Sequence, residues 1–184
     1  TLNSKFKQFF SPNFIYDEIS RIAINTIKNA YEEQAKTIAM ACSYVYQMGI
    51  EGDIAEFGTD EAHTSVAIAS SVFQMNKFQK KDPRGIKSIH YFDSFEGFRI
   101  IDYDVDKQSK LVKYGIWKKG TCNSYSEEAF KKKISQYLSC KFYITHRGWY
   151  KDTLQQIKDS QKFALIHVDC TLYGSAKEVF EYIL

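Results

Sequence analysis

The chain has 184 residues, of which 44% are hydrophobic and 16% aromatic, and this is enough for one domain with a sizeable core. Its formal charge of +3 comes from 25 basic and 22 acidic residues that are mixed along the chain, so we expect no nucleic-acid partner. No apolar run reaches the roughly 18 residues of a membrane span, and the first residues do not resemble an export signal. We therefore expect a soluble protein without a membrane partner.

The four cysteines lie far apart and form no CxxC pair, which is typical of neither a zinc site nor a disulfide framework. We therefore expect a reducing, cytoplasmic setting. The chain begins at Thr1 and stops at Leu184 within an apolar helical pattern. From this we expect one or both natural ends, including further C-terminal strands, to lie outside the sequence.

The first part of the chain predicts helices. Apolar residues recur at helical spacing from Tyr16 to Gln47 without Pro or Gly, which indicates one long helix or two shorter ones. We therefore assign residues 1–50 to an N-terminal helical segment and residues 51–184 to a core domain that is incomplete at its C-terminus.

Strands and helices alternate along the rest of the chain. This alternation predicts an α/β, Rossmann-like, doubly wound fold with a mostly parallel sheet and N-terminal helices. The predicted elements are a strand at Gly52–Gly58, a helix at His63–Phe78, a surface loop at Lys77–Lys87, a strand at Ile86–Phe92, an irregular excursion to Gly120, a helix opening at Ser124–Ser126 and ending near Leu138, a strand at Phe142–Thr145, a helix at Thr153–Ser160, a strand at Phe163–Val168 and a helix at Ser175–Leu184.

The end of the first strand, Glu56-Phe57-Gly58-Thr59, is the first candidate ligand contact. Gly58 can adopt backbone conformations closed to other residues and lets a ligand approach the main chain. The helix that starts near His63 then aims free N–H groups at a carboxylate or phosphate. An ordinary strand-to-helix turn is the alternative, because Ala62 and His63 take the place of the further glycines of a full fingerprint.

Two acidic residues follow strands, Asp93 after the second and Asp169 after the most apolar one. At such a strand end a carboxylate can accept hydrogen bonds from both ribose hydroxyls of a nucleoside, which suits Asp93. Asp169 should be partly desolvated and suited to proton abstraction, or else should bind a cation. Each residue also has a purely structural alternative. Asp93 could cap its turn together with Ser94, and Asp169 could cap the loop before Ser175.

Three other side chains near these strand ends have less specific patterns. His167 lies two residues before Asp169, on the same face of the apolar strand. We interpret it as a packed core residue rather than a base. Trp149 and Tyr150 follow the third strand. We expect Trp149 to form an aromatic wall for an adenine or a substrate ring and Tyr150 to pack in the core.

Three phrases together resemble a known enzyme family. They are FDSFEG at Phe92–Gly97, GWYKDTL at Gly148–Leu154, and HVD at His167–Asp169 with Leu172 and Tyr173. From Gly52 to its end the chain resembles the class I S-adenosylmethionine-dependent methyltransferases, and among them the macrocin O-methyltransferase (TylF-type) family. The resemblance implies a small-molecule O-methyltransferase that acts on a sugar hydroxyl of a glycoside, nucleotide sugar or polysaccharide precursor, and it is compatible with a homo-oligomer.

The same resemblance implies roles for individual residues. Glu56, Gly58 and Thr64 line the methionine end of S-adenosylmethionine, and Asp93 with Ser94 holds the ribose. Asp169 is the catalytic acid, which sits with a divalent cation and the sugar hydroxyl, and magnesium suits a site of carboxylates and water. The expected cofactor-binding set is completed by Thr59, His63, Phe95 and Trp149.

Two departures from the family pattern keep other functions open. Ala62 and His63 replace two glycines, and Thr171 replaces a second acid two residues after Asp169. These changes allow a non-catalytic relative that binds a nucleoside-like ligand or a partner protein. A nicotinamide-dependent oxidoreductase is a further alternative, although the missing GxGxxG after the first strand argues against it.

Overall fold

Helices flank a four-stranded sheet in the computed structural model, which describes residues 32–79, 85–101 and 103–184. Over these residues no helix is both long and apolar enough to cross a membrane. The elements are α1 (Glu32–Gln47), β1 (Asp53–Phe57), α2 (His63–Phe78), β2 (Ile89–Asp93), α3 (Asp104–Gln108), α4 (Lys110–Lys113), α5 (Glu127–Ile134), a 3₁₀ turn (Cys140–Phe142), β3 (Tyr143–Arg147), α6 (Tyr150–Thr153), a second 3₁₀ turn (Leu154–Gln156), β4 (Phe163–Val168) and α7 (Tyr173–Ile183).

The four strands are all parallel and lie in the order β3-β2-β1-β4. The chain therefore moves outward from β1 to β3 and then returns to place β4 on the other side of β1. This reversal is a topological switch point, where open α/β sheets bind their ligands. The arrangement confirms the predicted α/β class with a parallel sheet.

Both faces of the sheet are covered, because successive strand side chains point to opposite sides. Ile54 lies in a core cluster with buried residues of α1, α2 and α5. Ala55 and Phe57 lie in a second cluster with Leu154 and with Val179 of α7. Covered faces explain why the strands read as nearly continuous apolar runs.

The helices form where local signals and burial agree. In α1 the buried residues recur at helical spacing, as in Ala35, Ile38, Ala39 and Cys42. α5 begins after Ser126, whose hydroxyl accepts a hydrogen bond from the backbone N–H of Ala129. The part of the predicted Tyr16–Gln47 helix before Glu32 lies outside the described residues.

Several predicted elements differ in the structure. The strand predicted at Ile86–Phe92 begins at Ile89, and the helix predicted to end near Leu138 ends at Ile134. The helix predicted at Thr153–Ser160 is wrong, because α6 begins at Tyr150 and gives way to a 3₁₀ turn. Thr153 ends this short helix, and its hydroxyl donates back to the carbonyl of Trp149 at 3.1 Å. The predicted irregular excursion to Gly120 contains the short helices α3 and α4.

Candidate active site

A cavity of about 250 Å³ opens at the carboxyl ends of the strands, at the switch point between β1 and β4. Gly58 and Thr59 from the end of β1 line it, together with Asp93 from β2 and Asp169 from β4. Parallel strands bring their carboxyl ends to one edge of the sheet. Residues far apart in sequence therefore meet around one space.

Gly58 allows the ends of β1 and β4 to come this close. Its φ is +92°, and a Cβ atom there would lie 2.5 Å from the carbonyl oxygen of Asp169. The amide of Asp169 in turn donates to the carbonyl of Phe57 at 2.9 Å. Only glycine meets both the backbone conformation and the contact without displacing β4.

The carboxylate of Asp93 connects the loops that follow β1 and β2. One oxygen accepts hydrogen bonds from the Thr59 amide at 2.7 Å and the Thr59 hydroxyl at 3.0 Å, and the other accepts from the Phe95 amide at 2.8 Å. Asp93 therefore caps its turn and also lines the cavity. Since a carboxylate offers about four acceptor positions, these bonds leave room for about one ribose hydroxyl rather than the two expected.

The first turn of α2 faces the cavity through His63 and Thr64. The helix follows Ala62, which has a left-handed φ of 61°, and no side chain caps its N-terminus. The first backbone N–H groups of a helix have no partner within the helix and carry its positive dipole end. This wall suits a carboxylate.

Glu56 lies beneath the cavity rather than on its surface. It is fully buried, and its carboxylate accepts hydrogen bonds of 2.5 Å from the hydroxyls of Thr64 and Ser65. His167 Nδ1 lies 3.2 Å from the same carboxylate. Burial alone would lower the pKa of His167, but Glu56 outweighs burial and the pKa lies above its ordinary value. The expected lining role of Glu56 is therefore wrong, because its oxygens are occupied by protein groups.

Phe95 is the second expected contact that the structure places elsewhere. Its side chain is 7% exposed and packs in the core, 5.5 Å from the ring of Phe130. Its left-handed φ of 54° turns the ring inward and leaves its amide to bond with Asp93. Ser94 and Trp149 do line the cavity, as expected.

Asp169 lines the cavity but is exposed, so the expected desolvation is wrong. Its carboxylate accepts a long hydrogen bond of 3.4 Å from the side-chain amide of Gln34 in α1. An acceptor with little protein contact is therefore available to a ligand at the strand end.

Tyr150 combines core packing with cavity lining. Its ring meets Phe57 edge to face at 5.7 Å, and its hydroxyl bonds with the thiol of Cys170. Burial raises the pKa of Tyr150 well above 10 and that of Cys170 to about 12. Both groups are therefore protonated at neutral pH, and neither is a nucleophile there.

Several cavity residues carry no signal that the sequence analysis could use. Arg99, from the segment after β2, forms an ion pair of 3.1 Å with Glu178 of α7, and both line the cavity. Their meeting depends on how α7 packs, so spacing along the chain does not reveal it. The one local signal for Arg99 is that it lies two residues after Gly97, which ends the FDSFEG phrase and also lines the cavity. The other unexpected lining residues with polar side chains are Gln34, Asp60, Glu61, Cys122, Thr171 and Ser175.

Comparison with known proteins identifies the family. The model of the macrocin O-methyltransferase (TylF) family matches residues 29–184, which is most of the chain. The chain belongs to this family. It is therefore a methyltransferase, and the family implies S-adenosylmethionine as its methyl donor, as predicted.

Two solved structures share the fold of this TylF-family methyltransferase. The O-methyltransferase NovP superposes with a TM-score of 0.72 at 15% identity, over 94% of this chain and 78% of NovP. The calicheamicin methyltransferase CalS11 gives a TM-score of 0.56 at 17% identity, over 94% of this chain and 73% of CalS11. At these identities the likeness concerns the fold alone. No curated protein sequence matches the chain with statistical significance.

The cavity of this methyltransferase fits an adenosyl cofactor. Gly58 brings the end of β1 against the backbone of Asp169, and His63 and Thr64 of the first turn of α2 line the same cavity. Asp93 adds an acceptor for a ribose hydroxyl. Of the cofactor-binding residues expected from the sequence, those that line this cavity are Gly58, Thr59, His63, Thr64, Asp93, Ser94 and Trp149.

Magnesium fits the described part of the chain poorly. Among residues 32–79, 85–101 and 103–184, no group of three or more His, Cys, Asp or Glu side chains could hold a metal ion. Asp169 has Gln34 as its neighbour, and Thr171 stands where the family pattern has a second acid. The metal predicted at Asp169 is therefore not supported.

Proposed function

We propose that this methyltransferase transfers a methyl group from S-adenosylmethionine to a hydroxyl of a sugar-containing small molecule. The acceptor classes are a glycoside, a nucleotide sugar and a polysaccharide precursor. The main support is that one cavity at the switch point is lined by Gly58, Asp93 and Asp169, the residues that end three parallel strands.

In this proposal the cofactor lies across the ends of β1 and β2. Its carboxylate faces the first turn of α2, where the positive end of the helix dipole favours an anion. One ribose hydroxyl donates to the acceptor position left on Asp93. Trp149, on the cavity wall, packs against a ring of the cofactor or the acceptor.

In this proposal Asp169 acts on the acceptor. When bound, S-adenosylmethionine supplies an electrophilic methyl group, and transfer requires the acceptor oxygen to lie in line with it. We assign to Asp169 the role of accepting the hydroxyl proton, because its side chain lines the cavity and, among the bonds described, contacts protein only through the long bond from Gln34. Gln34 then orients this carboxylate.

Location and assembly complete the proposal. All four cysteines, Cys42, Cys122, Cys140 and Cys170, are free thiols, which supports a reducing, cytoplasmic setting. We also propose a small-molecule acceptor, no nucleic-acid partner, and a homo-oligomer whose size gel filtration with light scattering would measure. No specific observation supports the oxidoreductase or the non-catalytic relative.

Calorimetry followed by a transfer assay tests the proposal. We expect saturable binding of S-adenosylmethionine and none of NADH, each measured with magnesium and with a chelator. Mass spectrometry of reactions with glycosides, nucleotide sugars and oligosaccharides should then show a gain of one methyl group on one acceptor class. Binding of NADH in place of S-adenosylmethionine would refute the proposal.

A further inference from the structure

A buried polar network joins three elements beneath the cavity floor. Glu56 of β1 is 0% exposed, and its carboxylate accepts from Thr64 and Ser65, the second and third residues of α2. His167 of β4 lies 3.2 Å from the same carboxylate and is 15% exposed. Both hydroxyls and the imidazole therefore converge on one carboxylate that has no contact with solvent.

Such a network is costly unless every charge is paired. A buried carboxylate without partners loses several kcal/mol of hydration, so folding alone would favour an apolar residue at position 56. Position 54, on the same face of the same strand, is an isoleucine that packs in the core. The retained charge therefore points to a role in the site above it.

The network sets the position of the first turn of α2. Glu56 holds the Thr64 and Ser65 side chains, and Tyr91 of β2 donates to the carbonyl of Ser65 at 3.0 Å. This turn has no capping side chain of its own at Ala62. The contacts from the sheet take over the role of a cap in fixing where its N–H groups point.

We propose that His167 is a positioning residue that acts through Glu56 on the first turn of α2 and thereby sets the affinity for the methionine end of the cofactor. His167 does not line the cavity, so it acts without touching a ligand. The inference rests on the proposed function, because it takes the carboxylate of S-adenosylmethionine to lie at this turn. It assigns no proton transfer to the imidazole.

Two nucleosides separate this role from a general loss of structure. S-adenosylmethionine carries the amino-acid group that faces α2, whereas 5′-methylthioadenosine carries the same adenosyl group without it. We expect His167→Leu to lower the affinity for S-adenosylmethionine about tenfold or more, because a charge-assisted hydrogen bond is lost. The affinity for 5′-methylthioadenosine should change less than about twofold. Calorimetry on the full chain measures both.

A conservative variant and a second site provide the controls. His167→Asn places an amide donor near the position of Nδ1, so it should restore most of the affinity for S-adenosylmethionine. Ser65→Ala removes one hydroxyl that donates to Glu56 and leaves the cavity lining unchanged. It should lower the affinity for S-adenosylmethionine more than that for 5′-methylthioadenosine, and it provides a test even if His167→Leu fails to fold.

The outcomes are distinguishable. An equal loss of affinity for both nucleosides in His167→Leu and Ser65→Ala would show a merely structural role and overturn the inference. An unchanged affinity for S-adenosylmethionine in these variants would also overturn it. If the unaltered protein binds no S-adenosylmethionine, the proposed function fails and this inference fails with it. Selective weakening with rescue by asparagine supports both.

Discussion

At the scale of single residues, the site depends on carboxylates that have different partners. Asp93 is occupied by three hydrogen bonds from Thr59 and Phe95, whereas Asp169 is exposed and has one long contact with Gln34. The first carboxylate therefore joins the loops after β1 and β2, and we propose that the second acts on an acceptor. Substitutions at the two positions should separate binding from turnover.

We expect Asp93→Ala to weaken S-adenosylmethionine binding by about 10- to 100-fold, because it removes a ribose acceptor and releases the Thr59 loop. Calorimetry measures the change in Kd. Glu96→Ala is the matched control, since Glu96 is an exposed acid of the same turn that does not line the cavity. An unchanged Kd for Asp93→Ala would remove Asp93 from the binding site.

Asp169→Asn should leave the Kd for S-adenosylmethionine within about twofold and lower kcat by about 10²-fold or more, because an amide cannot accept the hydroxyl proton. Rates of methyl transfer at saturating substrates test this. Asp159→Asn makes the same change at an exposed acid outside the cavity and should keep the parent rate. Full activity in Asp169→Asn would exclude the proposed base.

At the scale of elements, the junction of β1 with β4 is the tightest part of the site. The two strands pair from Asp53 with Phe163 to Phe57 with Val168, and Gly58 then passes directly beneath the backbone of Asp169. A side chain at position 58 would force this junction apart. The element that carries Asp169 would move with it.

Gly58→Ala should therefore lower both the free energy of unfolding and the affinity for S-adenosylmethionine, because a Cβ would meet the Asp169 carbonyl at 2.5 Å. We expect a loss of stability of about 2 kcal/mol or more in urea unfolding, from backbone strain and the clash together. Gly115→Ala is the control, since Gly115 also has a positive φ of 71° but nothing lies within 4 Å of its Cβ position. Equal effects of the two substitutions would show that strain alone matters.

At the scale of the whole molecule, the pH dependence of stability should reflect a histidine pair on the neighbouring strands β2 and β3. His90 Nδ1 lies 2.9 Å from His146 Nε2, and the ring of His146 stacks on Phe92 at 4.2 Å. Asp53 lies 3.5 Å from His90 on the other side. Burial and the neighbouring His90 lower the pKa of His146 to about 4.

The folded protein should therefore lose stability on acidification. Between pH 6.5 and about 4 the unfolded chain binds a proton at His146 that the folded chain does not, so the free energy of unfolding falls as pH falls. The loss from this group is less than about 3 kcal/mol, because His146 is only partly buried and solvent screens its charge. Urea unfolding at pH 7 and pH 4.5 measures it, and His146→Gln should flatten the dependence. Identical pH slopes in the variant and the parent would contradict this assignment.

Prediction from sequence succeeds where one strand or one turn carries the signal. Asp93 and Asp169 are recognisable because each follows an apolar run, and Gly58 because it separates a strand from a helix. The bounds of β4 are predicted to the residue for the same reason. Class and strand direction follow from the alternation of elements.

Prediction fails where packing decides. Glu56 lies two residues before the cavity residue Gly58, and Phe95 directly follows the cavity residue Ser94. The alternation of strand faces buries Glu56, and a left-handed backbone conformation turns Phe95 into the interior. Arg99 and Glu178 meet only because α7 packs beside the segment after β2. No periodic pattern encodes such a meeting.

The strand order has a consequence for how the protein folds. Glu56 and His167 are 111 residues apart in sequence, so β1 can pair with β4 only after a long loop closes. Contacts of this separation form slowly, whereas β1, β2 and β3 can assemble from shorter segments. The wall of the cavity that carries Asp93 can therefore form before the wall that carries Asp169. We expect the cavity to be complete only after β4 has paired with β1.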